Sequence, residues 1–116
     1  MENPSAFPMG EPNDGFAQYF VGQSYLASVL DTPEFSIHNV TFEPGCRNNW
    51  HIHHGGAQVL IAVGGRGYYQ IEGQEPKELK AGEAVCIPAD TKHWHGAAPG
   101  ESFSHLAFMV PAGDPD

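Results

Sequence analysis

From Phe35 to Val110 apolar and polar positions alternate in short runs, and each run is closed by a turn signal. The runs are residues 36–42, 50–54, 58–63, 67–72, 77–79, 84–87, 93–95 and 103–110. The breaks fall at 43–45, 55–56, 64–65, 72–73, 81–82, 88–90 and 99–100, all rich in Gly, Pro or Asp. Period-two alternation of β-branched and aromatic residues between such breaks predicts strands. Upstream, residues 16–30 are apolar and aromatic and read as one or two further strands, ended by the turn Asp31-Thr32-Pro33-Glu34. Eight or so short strands with no helical window predict an all-β sandwich, jelly roll or barrel. Residues 1–15 lack periodicity and predict an extended or flexible arm. Residues 16–110 make one barrel domain, and 111–116 make a tail.

Composition narrows this. A chain of 116 residues fits one domain, and 41% hydrophobic residues are enough to fill its core. The formal net charge of −9, with five scattered Lys and Arg, excludes nucleic-acid phosphates and anionic lipid surfaces as partners. No apolar run approaches the roughly 20 residues that cross a bilayer. Residues 1–14 have neither the basic nor the apolar region of a secretory signal, so a cytoplasmic protein is expected. There Cys46 and Cys86 are expected as free thiols, with Cys86 a small buried hydrophobe in the run 84–87.

Histidine changes the picture most: seven residues, against five Lys plus Arg. In a strand, residues i and i+2 share a face. His51 and His53 can therefore hold one ion together, Gln58 can return after the Gly55-Gly56 turn, and His93 must come from the other half of a barrel. Three imidazoles and one amide oxygen suit a divalent Mn, Fe, Co, Ni or Zn with open positions. By the same parity His95 joins His93, His105 lies with Phe103 and Ala107, and His38 lies with Val40 and Phe42. His54 has the opposite parity and should face solvent. Each of His38, His95 and His105 can be read as a packed or ligand-orienting residue instead of a proton carrier. Trp50 and Trp94 read as packing or interface, and Arg47 and Arg66 are too isolated to form an anion clamp.

Two glycine-framed segments resemble the two motifs of the cupin superfamily. The first is Gly45, five residues, His51-x-His53, Gln58, six residues and Gly65. The second runs from Gly82 through Pro88 to His93. The departures are Gln58 for the usual Glu, Asp90 for the usual second Gly and Ala97 for the usual closing Asn. The resemblance covers about residues 36–110 and implies a double-stranded β-helix, the jelly-roll cupin barrel, with a bound metal. Thr41-Phe-Glu-Pro-Gly45, Trp50-His-x-His53, 92–99 and 104–107 are further similar to small bacterial manganese-dependent cupins with hydroxynitrile lyase activity. They are similar too to cupins associated with carboxymuconolactone decarboxylase. Those lyases use His, His, Gln and His as ligands, so manganese is the ion implied, and His95 and His105 fall on pocket positions. His38 falls where those lyases need not have His. The family also implies a homodimer.

A neutral Gln58 leaves the full charge on the ion and favours Lewis-acid over oxygen chemistry. The expectation is a lyase or isomerase acting on a small oxygenated molecule, with His38, His95 and His105 as acid–base groups. The alternatives are a dioxygenase and a non-catalytic sugar- or effector-binding module.

Overall fold

The computed structural model describes residues 1–111; most of the 111–116 tail lies outside the described residues. In chain order the strands are β1 (Glu11–Pro12), β2 (Phe20–Val21), β3 (Ser24–Asp31), β4 (Ser36–Phe42), β5 (Arg47–Asn48), β6 (Gly56–Ile71), β7 (Lys77–Lys80), β8 (Ala84–Ile87), β9 (His93–Ala97) and β10 (Phe103–Pro111). They form one curled antiparallel sheet in the order β1-β3-β4-β10-β6-β9-β5-β2, with β7 and β8 also paired to β6. This is the all-β jelly-roll barrel expected from the sequence. Among the described residues no helix is long and apolar enough to cross a membrane.

β6 joins the two halves. Its first part pairs with β10 and β8, and from Arg66 or Gly67 onward it pairs with β7 and β9. The sequence pattern puts a break at Gly64-Gly65, yet the strand runs through. What the glycines supply there is a bend. Gly65 sits at φ +70, and the β6–β10 register shifts between Ser104 and His105. A bulge with glycine in the left-handed region re-aims a strand without ending it.

Three further expectations change. Asp14–Tyr19 is a short 3-10 helix, not a strand, and only Phe20–Val21 and Ser24–Asp31 are extended. Residues 50–54 form no strand, because β9 begins at His93 and offers a single bridge, His51↔His93. Cys86 is exposed, and Cys46 is the buried thiol. β8 is short and peripheral, so one of its faces meets solvent, whereas Cys46 packs among Phe42, Leu60 and Ala97. Burial pushes the Cys46 thiol up to about 12. The N-terminal residues lie across the outer face of the sheet, where Asn39 donates to the Pro8 carbonyl at 2.8 Å and Pro4 abuts Gly64.

The inward rows of four strands set the barrel contents. Phe42, Leu60, Ala62, Ala97 and Phe103 fill one end and form the apolar core. Further along the same faces lie His38 on β4, Gln58 on β6, His93 and His95 on β9, and His105 on β10. Alternation thus puts the apolar floor and the polar mouth on the same strands.

Candidate metal centre

His51, His53 and His93 each present one ring nitrogen, and these three atoms lie within 4.8 Å of one another. The segment carrying His51 and His53 is held by backbone bonds to the opposite loop. His51 and His93 exchange both N–H···O bonds at 2.9 Å, and Asp90 N–H donates to the His53 carbonyl at 2.9 Å. Asp90 is at φ +61, which explains why a Gly is usual at this place in the motif. Asp tolerates the conformation, and its carboxylate takes a hydrogen bond from His54 Nδ1 at 2.6 Å. His54 thus faces solvent, as its parity predicts.

The ring orientations follow from the carbonyls behind them. His51 Nδ1 donates to the Asn49 carbonyl at 2.7 Å, and His93 Nδ1 donates to the Thr91 carbonyl at 2.8 Å. Both rings therefore present bare Nε2 lone pairs, the usual outer support of metal-binding imidazoles. His93 Nε2 faces Gln58 Oε1 at 3.0 Å, so two acceptors meet. His53 Nε2 is buried and has no hydrogen-bond partner. Burial pushes His93 down to about 4 and lowers His53, helped there by the neighbouring His51. These rings are neutral at neutral pH, the form that binds metal.

A second histidine pair lies deeper. His95 Nδ1 and His105 Nε2 are 3.0 Å apart. Both residues are buried, and burial above all lowers His95 well below its ordinary value and His105 to about 4. His105 Nδ1 lies 3.3 Å from the Leu106 carbonyl, to which it donates. Its Nε2 then accepts from His95 Nδ1–H, which leaves His95 Nε2 with a lone pair. The Asn48 amide nitrogen lies 3.0 Å from that Nε2 and 3.3 Å from Nδ1, and with Nδ1 protonated it donates to Nε2. Asn48 Oδ1 accepts the His95 backbone N–H at 2.9 Å, which fixes which way the amide points.

Of the residues singled out in the sequence, His51, His53, Gln58 and His95 line one cavity of about 230 Å³, walled also by Phe16 and Tyr19 of the 3-10 helix. His38 lines a neighbouring cavity of about 420 Å³ that shares His53 and Gln58 with the first. His105 is fully buried behind His95. Sequence reasoning missed Asn48, Phe16 and Tyr19. Asn48 pairs with nothing at i±2 that carries chemistry, so its role depends on β5 lying against β9.

Comparison with known proteins agrees with this architecture. The family model for the cupin domain matches residues 38–111. An (R)-mandelonitrile lyase from Granulicella tundricola is 40% identical over 98 residues, covering 82% of this chain and 74% of that protein. The crystal structure of a cupin-like protein from Thermotoga maritima superposes with a TM-score of 0.83 at 34% identity, over 91% of this chain and 80% of the other. A second Thermotoga maritima structure, described as a predicted oxalate decarboxylase, gives a TM-score of 0.79 at 17% identity, over 97% of this chain and 100% of the other. At that identity the likeness concerns the fold alone.

Proposed function

The chain belongs to the cupin family, and from that premise we propose that it is a metal-dependent lyase acting on a small hydroxylated molecule, with a 2-hydroxynitrile as the leading substrate class. The observation that carries this reading is His95: a neutral imidazole with its lone pair on Nε2, in the cavity that also holds His51, His53 and Gln58. The activity named for the Granulicella tundricola relative supports the substrate class.

The donor set fits a divalent cation. The partnerless Nε2 of His53 and the facing acceptors of His93 and Gln58 are atoms that a cation between them would satisfy. His51, His53, Gln58 and His93 would hold it. Manganese is the first choice, and iron, nickel, cobalt or zinc suit the same donors. When bound, the ion would supply Lewis acidity toward a substrate oxygen, undiminished by any ligand charge.

The substrate hydroxyl displaces the Asn48 amide N–H from His95 Nε2 and passes its proton there, while Nδ1–H stays directed at His105 and keeps the ring oriented. As the O–H bond breaks the C=O bond forms, the bond to the nitrile carbon breaks, and its electron pair leaves with cyanide. The proton from His95 completes hydrogen cyanide, so the products are an aldehyde and HCN. His105 acts through His95 as a positioning residue, because it is fully buried. His38 offers a second proton carrier on the side of the adjoining cavity. Phe16, Tyr19 and Val40 give the cavity part of its apolar wall.

The test is elemental analysis of tag-free protein combined with a mandelonitrile cleavage assay on wild type and His95→Ala. The expected result is manganese with cleavage, and a loss of about a hundredfold or more in His95→Ala at unchanged metal content. Iron with oxygen uptake and no cleavage overturns the lyase reading.

A further inference from the structure

A second site is built on the outside of the barrel, around Arg47 and the two tryptophans. Arg47 is on β5 and pairs with Gly96 on β9. A side chain at Gly96 would run into Arg47 and the Cys46 carbonyl, so this glycine lets the arginine lie close against β9. Its guanidinium sits over the Trp94 ring, 5.7 Å from the centroid. Trp94 is anchored by its indole N–H, which donates to Gln70 Oε1 at 2.8 Å. Trp50 stands across from it, 42% exposed. Arg47, Asn48, Asn49, Trp50 and Trp94 line a cavity of about 330 Å³.

The charge pattern makes Arg47 unusual. The chain has 14 Asp and Glu for five Lys and Arg. Arg66, Lys80 and Lys92 all have carboxylate partners. Arg47 and Lys77 make no ion pair among the described residues despite that surplus, and of the two Arg47 lies in a pocket walled by two indoles. A guanidinium that stacks on an indole still presents its N–H fork outward, matched to a carboxylate in two-point contact. The indole faces suit a planar apolar body. In the sequence Arg47 is a lone cation; the fold adds the rings that make it a recognition group.

We propose that Arg47, Trp50 and Trp94 form a binding site for a small aromatic carboxylate, outside the histidine cavity. An adjoining cavity shares Asn48, Asn49 and Trp50 with this site and reaches His51. The site therefore lies beside the segment that carries His51. The proposal does not depend on the lyase reading.

Trp50 and Trp94 are the protein's two tryptophans, so its tryptophan emission reports on both walls of this site. The experiment titrates the full chain with sodium benzoate at constant ionic strength, with benzyl alcohol as the neutral control. It follows tryptophan emission and the two indole N–H resonances in metal-free protein. The expected result is a saturable change with benzoate, with both indole signals moving and benzyl alcohol inert. Arg47→Gln should weaken binding about tenfold or more, and Arg47→Lys by less, since it keeps the charge but loses the fork. Trp94→Leu tests the ring contribution separately and should also weaken binding. Equal affinity in wild type and Arg47→Gln, equal binding of benzyl alcohol, or no saturable change overturns the proposal.

Discussion

Asn48 makes three contacts with His95: its amide nitrogen lies 3.0 Å from Nε2 and 3.3 Å from Nδ1, and its Oδ1 accepts the backbone N–H; with Nδ1–H directed at His105, the amide donates to Nε2. Changing the amide to a carboxylate removes the donor while keeping the shape. Asn48→Asp should therefore move the His95 proton to Nε2 and lower turnover about a hundredfold. Ring-nitrogen NMR of the metal-free variant reads the tautomer directly, and unchanged His95 shifts would refute the assignment. Asp90 is the second informative residue. Its carboxylate tethers His54, next to His53, from a left-handed backbone position that Gly would occupy without strain. Asp90→Gly separates the two roles. The exposed His54–Asp90 contact is worth about 0–1 kcal/mol, so manganese affinity should fall no more than about fivefold. Relief of backbone strain should hold the melting temperature of the metal-free protein near the wild-type value. A calorimetric titration with manganese beside a thermal melt checks both.

At the scale of elements, β6 decides whether the site assembles, because it carries Gln58 at one end and seats β9 with His93 and His95 at the other. Gly67 is a point where β6 closely approaches β9 and β10: a methyl group there would collide with the Gly96 carbonyl and the Phe103 ring. Gly67→Ala should destabilise by about 2–3 kcal/mol through overpacking. A urea denaturation curve would show a lower midpoint, whereas Gly73→Ala, which meets open space, should lose less, from its positive φ alone. The 3-10 helix Asp14–Tyr19 shows where strand patterning misleads. Its aromatic residues look like a strand, but Phe16 and Tyr19 wall the cavity instead of joining the sheet.

For the molecule as a whole, the buried histidines link folding to pH. His93 and His105 are lowered to about 4, and His53 and His95 are also lowered, all chiefly by burial. Between the ordinary value near 6.5 and about 4, the unfolded chain binds protons that the folded chain does not. Stability is therefore full above about pH 6.5 and falls as the pH drops toward 4. Thermal melts of chelated protein from pH 7.5 to 4.5 should show this decline, with a shallower slope in His105→Leu; a flat profile contradicts it. Added manganese should raise the melting temperature, since it binds only the folded form. By itself the sequence determined the all-β class, most strand positions, the fully matching runs 36–42 and 84–87, and the residues brought together at the centre, His51, His53, Gln58 and His93. It could do so because period-two alternation and motif spacing are local properties of a chain. Only the tertiary structure decided that β6 continues through Gly64-Gly65, that Cys86 is exposed, and that Asn48 and His105 flank the His95 ring. Only it put His105 behind His95 and His38 in the neighbouring cavity. These depend on which strand lies against which, and cross-strand register places residues 47 positions apart within hydrogen-bonding distance, information that no local pattern carries.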